Sequence, residues 1–114
     1  MVYELMPNVY VNAKKDLSST SVTTLYTAPA LTTAIVKSIL VSEDSGNADT
    51  ITVTITDAES SPATFSVFKT KAVSANTTVE LLTGPLVVQT GEALKVTAAT
   101  ANRLHVVASI LEVS

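Results

Sequence analysis

The chain has 114 residues, of which 46% are hydrophobic and only 15% are charged, with a net charge of −3 and no cysteine. This length fits one domain with one core, and the absence of cysteine excludes disulfides and thiolate chemistry. The negative charge disfavours nucleic acid binding, and no window holds the ~20 apolar residues that span a bilayer. We therefore expect neither nucleic acid nor membrane as a partner, and a surface covered largely by the 18 Thr and 12 Ser residues.

The first twenty residues differ in kind from the rest of the chain. They place two of the five aromatic residues ahead of a polar stretch at 14–20. Two interpretations stay open: this segment adds an edge strand to the chain's own sheet, or it is an arm that reaches a neighbouring subunit. Its start lacks the basic and apolar parts of a secretion signal, so we expect no export by that route. Its apolar side chains are Tyr3, Leu5, Tyr10 and Val11.

From residue 21 onward, apolar and polar residues alternate with the period of two that is typical of β-strands. The clearest case is the segment 50–56, where Ile51, Val53 and Ile55 alternate with threonines. No segment has the pattern of a capped amphipathic helix. Short strands at regular spacing predict one all-β antiparallel sandwich over 21–114, jelly-roll-like or immunoglobulin-like. The alternation and the turn residues between strands predict eight strands, near 22–27, 33–42, 50–56, 64–71, 77–82, 86–89, 93–98 and 104–113.

Two of these strands, 33–42 and 104–113, are apolar on both faces, although a lone sandwich buries only one face of each strand. A subunit or partner surface that covers the second face is the simplest explanation. The alternative is that both are central strands whose second face lies under the chain's own arm or a long loop. The candidate interface residues are Tyr3, Leu5, Tyr10, Val11, Ile35, Ile39, Val41, His105, Val107, Leu111 and Val113.

Residues of the types that usually catalyse reactions are few in this chain. The chain has a single histidine, His105, and no G-x-S-x-G turn to present a nucleophile, so we predict no catalytic residues and no enzyme activity. The loop 43–49 gathers three carboxylates around a glycine, a donor type that suits Ca²⁺, but it lacks the ligand spacing of an EF-hand and is explained equally well as an acidic turn. We predict no cofactor and no metal site, and leave open whether this loop binds an ion.

Two stretches of the chain are similar to one known group of proteins. The first runs from Leu25-Tyr26-Thr27-Ala28-Pro29-Ala30 through the strand 33–42 and the loop with Asn47 to the strand 50–56. The second is Leu82-Thr83-Gly84-Pro85, the apolar strand after it and Gly91-Glu92, with the closing Leu111-Glu112-Val113-Ser114. Over about residues 22–114, the chain resembles small β-rich virion structural proteins of tailed bacteriophages.

The resemblance implies a non-enzymatic protein of the virion. Such proteins act on the capsid exterior as decoration or cement subunits, often as trimers bound to the major capsid protein, or they lie at the neck and tail. The resemblance therefore favours a homo-oligomer, with a trimer first, and virion proteins as partners. The alternative is a neck, tail or fibre accessory protein that binds a receptor or carbohydrate. Such a module should expose aromatic residues around a concave site, and the candidates are Tyr26, Phe65 and Phe68.

Overall fold

A computed structural model describes residues 8–114, which form nine β-strands. Each of the eight predicted strands is confirmed, with ends that differ by no more than a few residues. Within the described range there is no helix of the length and apolarity that crossing a membrane requires. The strands are β1 (Val9–Asp16), β2 (Thr23–Thr27), β3 (Thr33–Glu43), β4 (Asp49–Thr56), β5 (Thr64–Val73), β6 (Thr78–Glu80), β7 (Leu86–Val88), β8 (Ala93–Ala98) and β9 (Leu104–Val113).

The strands form two packed antiparallel sheets, as the sequence predicts. Sheet A has the order β1-β9-β3-β6, with β7 pairing to β3 beside β6, and sheet B has the order β2-β8-β4-β5. The chain crosses from one sheet to the other at most of its connections, so strands far apart in sequence become neighbours. This winding is that of a jelly roll, the first of the two arrangements that the sequence left open.

The core lies between the sheets and is built from the inward residues of both. Ile51 and Val53 of β4 are fully buried there, while the threonines between them lie on the outer face of sheet B. On β9 the even-numbered residues from Leu104 to Ile110 are buried in the same core. The predicted alternation of β4 and β9 is therefore confirmed residue by residue.

The described part of the N-terminal segment is an edge strand of the chain's own sheet. β1 pairs antiparallel with β9 from Val9 to Asp16 without a register shift. Val11 faces inward and packs against the core, so its side chain does not lie on the outer face of the sheet. Tyr10 points to the outer face instead, because neighbouring residues of a strand face opposite sides. Tyr3 and Leu5 lie outside the described residues.

A β-bulge in β3 changes which residues face outward. Lys37 is an extra residue in the pairing with β9, and the alternation of faces restarts after it. Ile39 and Val41 consequently point inward and are fully buried in the core. The prediction that these two residues contact a partner is therefore wrong, and Leu40 takes the outward position between them.

Candidate interaction surface

The outer face of sheet A carries a line of apolar side chains that crosses four strands. Directly paired residues of adjacent strands share a face of the sheet. Tyr10 of β1 pairs with Leu111 of β9, Leu111 pairs with Ile35 of β3, and Ile35 pairs with Val87 of β7. We call these four residues the apolar row. Tyr10 is 71% exposed and Val87 49%, and the two central residues are half-buried.

Further apolar side chains extend this surface on both sides of the apolar row. Val107 and Leu40 are paired with each other and exposed on the same face, and Val113 is half-buried near the end of β9.

Leu31, just before β3, is 89% exposed in a left-handed backbone conformation with φ of 57°. A bulky side chain is uncommon there, so the loop holds Leu31 outward at some conformational cost.

The outer face of sheet B has a different chemistry. The outward residues of β4 are Thr50, Thr52, Thr54 and Thr56, and their partners across the sheet include Thr97, Lys95 and Ser66. Neighbouring hydroxyls bond to each other, as between the Oγ1 atoms of Thr56 and Thr64 at 3.1 Å. Hydroxyl groups remain hydrated in water, whereas an apolar row gains free energy when it is covered. The two outer faces therefore differ in the free energy that covering them would provide.

His105 lies at one end of the outer face of sheet A, between two carboxylates. Its Nε2 is 3.3 Å from Oδ1 of Asp16, and its Nδ1 is 3.4 Å from Oδ2 of Asp44. Ser42 is its neighbour on β3, but the hydroxyl of Ser42 bonds to Thr78 at 2.9 Å. Because both ring nitrogens face acids, this group links β1 to the β3–β4 loop and does not form the nucleophile and base pair of a hydrolase.

Two carboxylates of the acidic loop after β3 accept backbone N–H groups of this loop and of two neighbouring turns. Glu43 is 2% exposed and accepts the backbone N–H groups of Ser45 at 2.8 Å, Gly46 at 3.1 Å and Asn76 at 3.1 Å. Asp49 accepts the N–H of Thr100 at 3.1 Å. Within residues 8–114, no three His, Cys, Asp or Glu side chains group in a way that could hold a metal ion.

These hydrogen bonds set the ionisation of Glu43. Burial alone would raise the pKa of its carboxyl, but the donors from Ser45, Asn76 and Gly46 outweigh it and hold the pKa at about 2. The pKa of Tyr26 is shifted in the opposite direction. Burial, together with its hydrogen bond to the Glu112 carboxylate, raises the pKa of the Tyr26 phenol.

The aromatic residues considered for sugar binding do not form a common site. Tyr26 lies on β2 and bonds to Glu112 of the other sheet. Phe65 and Phe68 lie on β5, at the opposite edge of sheet B, three strand spacings or ~14 Å away. Phe68 is half-buried against the core, and only Phe65 is largely exposed, at 56%. The two concavities beside His105, of about 450 and 320 Å³, are lined by none of the three.

The fold brings together most of the described interface candidates and adds two residues. Tyr10, Ile35, His105, Val107, Leu111 and Val113 all lie on the outer face of sheet A, whereas Val11, Ile39 and Val41 do not. Leu40 and Val87 were missed. The sequence contains a signal for each. For Leu40 it is Lys37-Ser38, two successive polar residues in an alternating strand, which is typical of a bulge. For Val87 it is the run of three apolar residues that forms β7.

Comparisons with known proteins add no relative to this description. No protein-family model matches the chain, and no curated protein matches it closely enough to count as a relative.

Proposed function

We propose that this chain is a non-enzymatic structural protein of a bacteriophage virion. In this role it is a capsid decoration protein that binds the outer surface of the major capsid protein shell. The observation that carries the proposal is the contrast between the two outer faces: the apolar row runs across sheet A from β1 to β7, while hydroxyl groups predominate on the outer face of sheet B. A protein that stabilises a shell by adhesion needs one such face and no reaction centre.

The way in which such a subunit stabilises a shell follows from repetition. A standard interface buries ~1,600 Å² in total, and its apolar centre excludes water while its polar rim positions the partners. On the outer face of sheet A, the apolar row supplies such a centre, and the paired residues Asn12, Ser109 and Ser38 supply polar groups beside it. Many copies that each bridge neighbouring capsomers resist their separation together. The proposal includes trimers of this chain, as the resemblance implies.

The jelly-roll winding supports this proposal as an analogy of fold. Jelly rolls occur in viral capsid proteins and also in lectins, and a fold by itself does not define a function. The lectin-type alternative, a tail or fibre module that binds sugars, is less well supported because Tyr26 and Phe65 lie at opposite edges of sheet B. A glycan array separates the two functions, since a decoration protein should bind no glycan on it.

A pair of lysine substitutions tests the proposed docking face. Val87→Lys places a charge in the apolar row, while the matched control Ser66→Lys places one at an exposed strand position on sheet B. We expect Val87→Lys to weaken binding about tenfold or more, because an ammonium group is poorly accommodated in a dry interface, and Ser66→Lys to leave it unchanged. The measurement is co-sedimentation with shells assembled from the major capsid protein of the encoding phage. Equal binding by both variants would remove the outer face of sheet A from the proposal.

A further inference from the structure

β1 differs from the other edge strands of the two sheets. It is eight residues long and pairs with β9 without any register shift, and no strand within residues 8–114 pairs with its other edge. Native sheets protect their edges with bulges, charges or very short strands. β5 has two register shifts and two lysines, β2 has a shift, and β6 and β7 have three residues each. β1 also carries two lysines and an aspartate, but they lie at its end, and Val9 to Ala13 carry no charge. Among the described strands, β1 is the edge strand that is both long and free of register shifts.

The hydrogen bonding of the neighbouring residues shows which backbone groups of β1 point outward. Leu17 follows β1 directly and donates its N–H to the carbonyl of Leu104 at 3.0 Å. In an antiparallel ladder, every second residue pairs with a given neighbour, so the odd-numbered residues of β1 use their N–H and C=O groups toward β9. The corresponding groups of Tyr10, Asn12 and Lys14 therefore point away from β9.

A second copy of β1 complements these outward groups. When two β1 strands run antiparallel around a twofold axis between their Asn12 residues, Asn12 lies opposite the partner subunit's Asn12. Tyr10 then lies opposite the partner subunit's Lys14. Residues opposite each other in such hydrogen-bonded positions exchange both of their N–H···O bonds. Every outward backbone group from Tyr10 to Lys14 is satisfied in this arrangement.

The side chains fit the same register. Tyr10 and Lys14 both point to the outer face of sheet A, so the Lys14 ammonium reaches the exposed ring of the partner subunit's Tyr10, a favourable cation–π contact. Lys15 lies opposite the partner subunit's Val9, and no two like charges face each other across the strands. The apolar row of one subunit ends at Tyr10, next to this junction and opposite the partner subunit's Lys14.

We infer that two copies of this chain join their sheets edge to edge through β1, antiparallel, around a twofold axis at Asn12. This contact goes beyond the proposed function, which concerns the outer face of sheet A and not its edge, and neither depends on the other. The contact leaves that face accessible to a shell.

Cysteine cross-linking tests the contact in the full chain, which has no cysteine of its own. In Asn12→Cys, the two introduced residues lie ~5.5 Å apart between Cα atoms, within the range that a disulfide bridges. The matched control is Ser109→Cys, on the same face one strand inward, where the two Cα atoms are ~14 Å apart. Under mild oxidation we expect a covalent dimer from Asn12→Cys and monomer from Ser109→Cys. Cross-linking of the Asn12 variant no faster than that of the control overturns the inference.

A proline substitution tests the contact without a cross-link. Asn12→Pro removes an N–H that points to the partner but none of the bonds to β9, so it is tolerated at an edge. Light scattering should give Asn12→Pro half the mass of the wild type and of the control Asn12→Thr. With no other contact between copies in solution, these masses are one and two chains of 11.9 kDa. A wild-type chain that stays monomeric at high concentration overturns the inference, as does a dimer that persists in Asn12→Pro. If Asn12→Pro does not fold, the comparison of Asn12→Cys with Ser109→Cys tests the contact.

Discussion

Glu43 shows how one buried acid can organise two loops. Its carboxylate lies at the end of β3 and accepts N–H groups from the β3–β4 loop and, through Asn76, from the turn before β6. Both Gly46 and Asn76 have positive φ, 84° and 56°, conformations that Gly and Asn adopt more readily than other residues. The acid satisfies backbone donors that the turns leave unpaired, which is why it is buried as an ion.

We predict that Glu43→Gln lowers the melting temperature at neutral pH by about 5 °C or more, because an amide accepts these N–H groups less well than a carboxylate. The pKa of Glu43 is held at about 2 in the folded chain, below its ordinary value of 4.5. Its contribution to stability is therefore complete above pH ~4.5 and is lost as the pH falls toward 2. Thermal unfolding from pH 2 to 7 should show the two proteins converging at low pH.

The control for this prediction is Asp44→Asn, which removes a neighbouring charge whose side chain is largely exposed. Exposed ion pairs contribute little to stability, so this variant should unfold close to the wild type at every pH. Similar unfolding curves for the two variants would contradict the role given to Glu43.

At the scale of the element, the bulge in β3 decides which residues form the outer face of sheet A. The side chain of Glu80, on β6, holds the strand just after the bulge: it accepts the backbone N–H of Ile39 at 2.7 Å, that of Leu82 at 3.3 Å and the hydroxyl of Ser38. Burial would raise the pKa of Glu80, but these donors outweigh it and lower the pKa. The carboxylate thus compensates for a ladder bond that Ile39 does not make.

We predict that Glu80→Ala lowers the free energy of unfolding by about 1–2 kcal/mol, because the N–H of Ile39 loses its acceptor. The comparison is Glu59→Ala, in an exposed turn, which should change it by no more than ~0.5 kcal/mol. Urea denaturation at neutral pH measures both values. Equal midpoints for the two variants would show that the carboxylate does not hold the bulge.

At the scale of the whole molecule, both sheets contribute to one continuous core. Inward residues of seven strands of the sandwich, with Leu17, Ala28 and Leu81 from the connections, form a single buried cluster. Such a domain is expected to unfold in one cooperative transition. The polar contacts between the sheets are few by comparison, and the hydrogen bond from Tyr26 to Glu112 is one of them.

Ile110 offers a test of this single core, because it is fully buried at the centre of β9. We predict that Ile110→Ala costs about 2–5 kcal/mol through lost burial and the cavity left behind, in one transition by circular dichroism and by tyrosine fluorescence. Ser109→Ala, the adjacent residue on the outer face, should stay within ~0.5 kcal/mol of the wild type. Two separate transitions, or a small effect at Ile110, would be incompatible with one shared core.

Eight of the nine strands, and the inward residues of most of them, are predictable from the amino-acid sequence. In β4 and β9 this follows from alternation alone, because the side chains of a strand point to opposite faces every residue whatever the strand pairs with. The absence of cysteine, the sparse charge and the many threonines were equally visible without a structure. These are local properties, and they were sufficient for an all-β sandwich.

Which strands are neighbours, and which residues form the candidate surface, depends on the tertiary structure. The apolar row joins Tyr10, Leu111, Ile35 and Val87, residues up to 101 positions apart in the printed sequence, and no local pattern connects them. The described N-terminal segment is an edge strand because it pairs with β9. Ile39 faces inward because of the bulge at Lys37. Pairing and register depend on contacts between residues that are distant in the sequence, and these contacts contribute free energy only when the chain folds.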